Sequence, residues 1–176
     1  MSVKQDNKMR EIQVKKVVLN IGCGKDGNIE HAREILNTIT GRKPKITITK
    51  KRTTFGVAKR KPIGVCVTLR KGAEDLLKRL FEAMDNHLII RNFDNQGNLS
   101  FGIAEYISIP DMEYDPNKKI FGLDVCVTLE RPGFSIRKKS IGRKVGKKHL
   151  ISKEDSMEFM KKKFGIEILE ERRKEY

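Results

Sequence analysis

At 176 residues the chain has the length of one domain with room for a real core, and 38% hydrophobic with 35% charged residues suits a compact body carrying long charged loops. A net charge of +15 points to a polyanionic partner. No apolar run approaches the roughly 20 residues of a membrane span, the first ten residues are too polar for a signal peptide, and Cys23, Cys66 and Cys126 have neither zinc-finger spacing nor an even count, so they read as free thiols in a reducing cytoplasm.

Residues 1–12 form a polar lead-in, expected to be mobile. Residues 13–21 alternate, with Val17, Leu19 and Ile21 on one side and Val18 and Asn20 on the other, the pattern of a half-buried strand. Gly22 to Gly27 turns the chain. Asn28 is placed to cap a helix through about Thr40, with Ile29, Ala32, Ile35, Leu36 and Ile39 as its stripe and Gly41 as its end. Strands are expected at 45–49 and 64–70, joined by a basic protruding loop at 50–63. Residues 72–91 read as the longest helix, with Leu76, Leu77, Leu80, Phe81, Met84 and Leu88 on one stripe.

After a loop at 92–98, residues 99–109 are expected to be extended, Ile103, Ile107 and Ile109 alternating against Ala104, Tyr106 and Ser108. An acidic loop at 110–119, a strand at 122–130 and a basic excursion at 132–150 follow. Ser152 caps a short last helix that offers Met157, Phe159, Met160 and Phe164 to the core, and 170–176 is a charged tail. The order β-α-β-β-α-β-β-α with short connections predicts an α+β two-layer sandwich. Its sheet is mainly antiparallel, its helices lie on one face, and residues 1–176 make a single domain. Val65-Cys66-Val67-Thr68-Leu69 recurs as Val125-Cys126-Val127-Thr128-Leu129, which reads as two similar strands and not as a domain repeat.

The positive charge is concentrated. Residues 35–73 contain no acid and eleven Lys or Arg; residues 131–153 contain no acid and nine. Those twenty exceed the overall +15, so the rest of the chain is net negative. Such segregation favours a directed binding face over mere solubility. Strand alternation sharpens the inference. With Val17, Leu19, Ile21, Val65, Val67 and Leu69 toward the helices, Asn20, Cys66, Thr68 and Arg70 face away, and Lys45, Thr47 and Thr49 oppose Ile46 and Ile48. That outward set is small, polar or basic, so the sheet face opposite the helices is open to a polar partner. Asn and Thr bond sugars and base edges, Arg and Lys meet phosphates, and the lack of outward aromatics disfavours a stacking platform for single strands. A structured RNA fits this chemistry. Lys45, Lys71, Arg137, Lys138, Arg143 and Lys144 are further basic candidates for RNA contact.

Other motifs fail. Gly22-Cys23-Gly24-Lys25-Asp26-Gly27 is a literal GxGxxG, but no acid lies between Glu34 and Glu74 to bind a ribose, and Asn28-Ile29 replaces the Lys-Ser/Thr of a phosphate loop. The glycines read as a tight turn. His31, His87 and His149 do not assemble with a nucleophile, and the acids of 111–115 lack the calcium-loop pattern. The expectation is a protein with no catalytic residues, no metal and no cofactor. A basic DNA-architectural protein is the rival binding class, without a visible recognition helix.

Five ordered motifs carry a resemblance. They are Val18-Leu19-Asn20-Ile21-Gly22-Cys23-Gly24, Thr40-Gly41-Arg42-Lys43-Pro44, Pro62-Ile63-Gly64-Val65-Cys66-Val67-Thr68-Leu69-Arg70, Ser100-Phe101-Gly102-Ile103 and Ile109-Pro110. The chain resembles, over about residues 12–168, the large-subunit ribosomal protein family conventionally numbered five, which binds 5S ribosomal RNA. Its basic excursion is similar to the archaeal and eukaryotic branch. The resemblance implies a cytoplasmic protein of the large ribosomal subunit, in its central protuberance, with the open sheet face on 5S rRNA. It implies Asn20, Gly22, Arg42, Lys43, Thr68 and Arg70 as 5S-binding residues. It implies that Thr54, Phe55, Gly56, Val57, Ala58, Lys59 and Arg60 reach toward P-site tRNA. The further partners implied are large-subunit rRNA, other large-subunit proteins and a small-subunit head protein across an intersubunit bridge; no membrane is implied.

Overall fold

Strand β1 (Gln13–Gly22) lies at the centre of a five-stranded sheet. It pairs with β3 (Pro62–Leu69) on one side and β6 (Leu123–Glu130) on the other, and β2 (Lys45–Ile48) and β5 (Leu99–Ile103) form the edges. Every pairing in this sheet is antiparallel. The computed structural model describes residues 7–24, 27–52, 54, 56–116, 119–139 and 144–170.

Among the described residues three α-helices complete the α+β fold. Helix α1 (Ile29–Thr40) starts where the Asn28 side chain accepts from the backbone N–H groups of Glu30 and His31, and ends at Gly41, whose φ of 63° is cheap only for glycine. Helix α2 (Ala73–Glu82) follows β3. Helix α3 (Lys153–Phe164) opens on a reciprocal capping box between Ser152 and Asp155. Val17, Leu19 and Ile21 of β1 and Val65, Val67 and Leu69 of β3 are buried in one core with Leu36 and Ile39 of α1 and Leu77 and Leu80 of α2. Burying such a side chain contributes about 1.5–3 kcal/mol. The Phe81 ring lies 5.4 Å from that of Phe101 and 5.4 Å from that of Phe164, tying α2 to β5 and α3.

The recurring Val-Cys-Val-Thr-Leu segments are the two strands that flank β1. Thr68 and Cys126 both sit opposite Val18, one on each side. Each segment sends its valines and leucine to the core and its cysteine and threonine to the opposite face, and one environment selects one pattern twice. The glycine turn after β1 is tight: a Cβ on Gly27 would lie 1.9 Å from the Cys23 carbonyl oxygen. Lys25 and Asp26 of that motif lie outside the described residues.

Three expectations fail. The helix expected at 72–91 stops at Glu82. Asp85 and Asn86 then take φ values of 52° and 58°, a region these residues tolerate better than most, and 87–89 form a short strand β4 (His87–Ile89). β4 pairs in parallel with β7 (Glu167–Leu169), a strand the periodicity does not suggest. Leu88 therefore enters the core from a strand and not from a helical stripe. The extended segment expected at 99–109 ends at Ile103, and a 3-10 turn over Tyr106–Ser108 buries Tyr106 instead of turning it away from the isoleucines. On β2 the expected polarity of burial fails: Ile46 and Ile48 are 39% and 56% exposed, while Thr49 is buried. β2 is an edge strand that leaves Ile46 only partly covered opposite Val65, and its register against β3 shifts between Thr47 and Ile48, so simple alternation does not carry through to Ile48 and Thr49.

Candidate nucleic-acid interface

Directly paired residues share a face, so the register writes out the side of the sheet opposite the core. Lys45, Cys66, Asn20, Asp124 and Gly102 form one row across all five strands. Thr68, Val18, Cys126 and Ser100 form the next, and Thr47, Gly64 and Gly22 form another. Every one of these positions except Gly64 is exposed or half-buried. Gly64 is required by close approach: a Cβ there would lie 2.6 Å from the Ile21 carbonyl oxygen. The face is thus broad and mainly polar.

The topology divides the candidate residues into two groups. Arg42 and Lys43 precede β2, and Arg70 and Lys71 follow β3; because β2 and β3 are antiparallel, all four gather at one end of the sheet. All four are exposed. The basic excursion after β6 leaves from the same end, since Glu130 pairs with Gln13 at the start of β1. Lys144 and Arg137 lie in it, exposed; Lys138 ends its 3-10 turn Phe134–Lys138. Arg143 lies outside the described residues.

The loop between β2 and β3 leaves from the opposite end. Thr54, Gly56, Ala58, Lys59 and Arg60 are exposed, Val57 is turned into the protein and offers no contact surface, and Phe55 lies outside the described residues. Arg60 holds a φ of 65°, unusual for a residue with a side chain. The loop's base is a small buried network around Thr49. Its hydroxyl donates to the Ala58 or Lys61 carbonyl, at 2.8 and 3.1 Å, and accepts from the Lys61 N–H at 3.0 Å. The backbones of Thr49 and Lys61, and of Arg60 and Thr49, add bonds of 2.9 Å each. The residue expected on the open face is instead the loop's anchor. Thr49→Val keeps the shape and removes the hydroxyl, leaving buried polar groups unpaired at about 1–3 kcal/mol. Amide hydrogen exchange of 50–61 is expected to accelerate by tenfold or more, with exchange in β1 unchanged.

Electrostatically the face is not uniform. Asp124 sits at its centre, and the Asn20 amide donates to that carboxylate at 3.4 Å. Lys16, half-buried, lies opposite Thr128 toward the basic end. A carboxylate in the middle repels phosphate and accepts from hydroxyls and amino groups; the basic ends attract phosphate. The arrangement suits sugar or base edges over the centre and backbone over the ends. Lys16, Ser100, Asp124 and Cys126 were outside the sequence-derived set, although alternation extended to the second Val-Cys-Val-Thr-Leu segment places Asp124 and Cys126 there. Among the described residues no cluster of His, Cys, Asp or Glu could hold a metal, and no helix is long and apolar enough to cross a membrane.

Comparison with known proteins decides the family. Two family models match in tandem, ribosomal protein L5 over residues 7–57 and the C-terminus of the same ribosomal family over residues 62–167. The chain belongs to the ribosomal protein L5 family. It is 46% identical over 165 residues to the large ribosomal subunit protein uL5 of Cenarchaeum symbiosum, covering 92% of this chain and 98% of that one. The uL5 of Nitrosopumilus maritimus is 45% identical over 172 residues, covering 96% and 99%. That of Sulfurisphaera tokodaii is 44% identical over 169 residues, covering 93% and 96%. The chain is therefore an archaeal-type ribosomal L5 protein, a structural component of the translation machinery and not an enzyme. The boundary between the two family models falls inside the basic loop, between β2 and β3. The two matched segments nonetheless share one sheet, since β1 of the first is sandwiched between β3 and β6 of the second.

Proposed function

We propose that this protein binds 5S rRNA in the central protuberance of the large subunit, using the open sheet face with Asn20, Gly22, Thr68 and Lys45, and the basic end with Arg42, Lys43, Arg70 and Lys71. The observation that carries this is a five-stranded polar face that nothing among the described residues covers, flanked at one end by those four exposed cations. The loop 50–63, held at Thr49 and carrying exposed Lys59 and Arg60, is the segment that reaches P-site tRNA. The protein also helps bridge to the small-subunit head and meets neighbouring large-subunit proteins, and the excursion 132–150, with exposed Arg137 and Lys144, adds basic contacts to large-subunit rRNA.

The test is affinity for 5S rRNA against duplex DNA and an unrelated structured RNA across a salt series. About six neutralised phosphates cost on the order of a thousandfold between roughly 50 and 200 mM salt. A 5S preference that persists at the upper end is expected, because contacts to hydroxyls and base edges do not release counterions. Equal binding to all three, lost together, would leave only a basic surface and favour the DNA-architectural alternative. The native cysteines give a second readout. Cys126 is exposed on the face, whereas burial raises the thiol pKa of Cys23, with Lys119 pulling it partly back. Bound 5S rRNA is expected to slow maleimide labelling of Cys126 tenfold or more without changing that of Cys23.

A further inference from the structure

Beyond the end of β6, a groove of about 800 Å³ opens between the 95–98 turn and the basic excursion. Leu129, Leu150 and Ile151 give it apolar area, and Asn95, Gln96 and Asn98 bring side-chain amides to it. Phe134 and Arg137 also line it, with the guanidinium 5.6 Å from the ring centroid. They are stacked for a local reason. Residues three apart on a 3-10 turn eclipse each other, and these two open the turn Phe134–Lys138 that way.

We propose that this groove takes one unpaired nucleotide of a structured RNA, its base stacked on the Phe134–Arg137 pair and its phosphate toward Arg137 and Lys144. The inference rests on the RNA-binding reading above and adds a second kind of contact to it. The chemistry is that of single-base capture: an aromatic ring with a guanidinium, amides able to meet a base edge, and cations for the backbone. The size agrees, because pockets of about 300–1,000 Å³ enclose a small ligand and cannot admit a base-paired helix. Glu130, only 8% exposed, lines the floor of the same groove, while Arg137 and Lys144 are exposed, so the backbone is met on the outer side. Thr128 lines the groove and also stands on the open face opposite Lys16, so an RNA lying on the sheet reaches the groove along a continuous surface.

The geometry makes the aromatic ring decisive at this one site, although the sheet face has none. The probes are two RNA hairpins, one fully paired and one with a single bulged adenosine. Stacking of a base on an aromatic side chain corresponds to roughly 5- to 150-fold in affinity. The wild-type chain and Phe134→Tyr are expected to prefer the bulged hairpin by about tenfold, and Phe134→Ala to bind both alike. Arg42→Glu is expected to weaken both hairpins and keep the preference. Equal binding of both hairpins by the wild-type chain, or a preference that survives Phe134→Ala, overturns the groove while 5S rRNA binding through the open face stands. A wild-type chain that does not bind 5S rRNA overturns the open-face reading, and a preference abolished by Phe134→Ala would still support the groove.

Discussion

Arg42→Glu, Lys43→Glu and Arg70→Glu together are expected to lower affinity for 5S rRNA by about a thousandfold at roughly 0.1 M salt. The three side chains are exposed at one end of the sheet, brought there by the antiparallel pairing of β2 and β3. A charged hydrogen bond contributes about 1.5–3 kcal/mol, and exposed groups fall at the low end, so three lost contacts amount to about 4–5 kcal/mol, which is the thousandfold. The reversal also removes about three phosphates from the counterion count, so the slope of log affinity against log salt falls by about two to three. The control is an equal change of charge elsewhere. Lys78, Lys161 and Lys162 are exposed on α2 and α3, the helices behind the core. Their replacement by Glu is expected to cost less than tenfold and leave the slope nearly unchanged. If the two triple variants behave alike, net charge and not the end of the sheet drives binding.

The unequal weight of these two triples follows from topology, and topology was the part least visible in the chain. Local signals fixed α1: Asn28, the stripe from Ile29 to Ile39 and Gly41 all lie within fourteen consecutive residues, and the helix matches them. The end of α2 needed a partner distant in sequence. Nothing near 83–89 announces a strand until β7 arrives to pair with it. The alternation in β1 and β3 read correctly because both strands are central and both are covered on one side. The same alternation misread β2, where an edge position leaves Ile46 partly uncovered, a register shift after Thr47 breaks the period at Ile48, and the loop claims Thr49.

The site shows the same division. Asn20 and Thr68 were legible as outward residues, since period two is a property of the strand itself. That Arg42, Lys43, Arg70 and the 132–150 excursion share one end, while Lys59 and Arg60 stand at the other, requires strand order and direction. Asp124 was missed for a different reason: a lone acid in a basic chain reads as solvated until its row is known. The groove beside Phe134 is made by residues from three separate segments, and no pattern within any one of them marks it.

Arg131→Ala is expected to destabilise the fold by about 2–3 kcal/mol and to release the excursion before the rest of the protein opens. Arg131 stands immediately after β6, with its side chain only 10% exposed. It donates to the Leu150 carbonyl at 3.1 Å and to the Asp155 carboxylate at 2.9 Å, so it closes the ends of the 132–150 segment on each other. Asp155 is also the residue whose carboxylate accepts from the Ser152 N–H to cap α3. The His149 ring N–H donates to the Pro132 carbonyl at 2.9 Å, a second stitch across the same base. Breaking a buried ion pair costs about 3–5 kcal/mol when the other charge is stranded, but Asp155 is 44% exposed and is rehydrated, which brings the figure down. For a domain of this size the loss corresponds to a fall in Tm of roughly 5–10 °C. Because the pair and the cap share one carboxylate, Arg131→Ala and Asp155→Asn are expected to be less than additive, with a coupling of about 1–2 kcal/mol in a double-mutant cycle. Amide exchange in 144–155 should rise well before exchange in β1, and the bulged-hairpin preference should weaken with it. Additive losses, or an excursion whose exchange is unchanged, would mean that Arg131 only fills space at the end of β6 and does not hold the groove in shape.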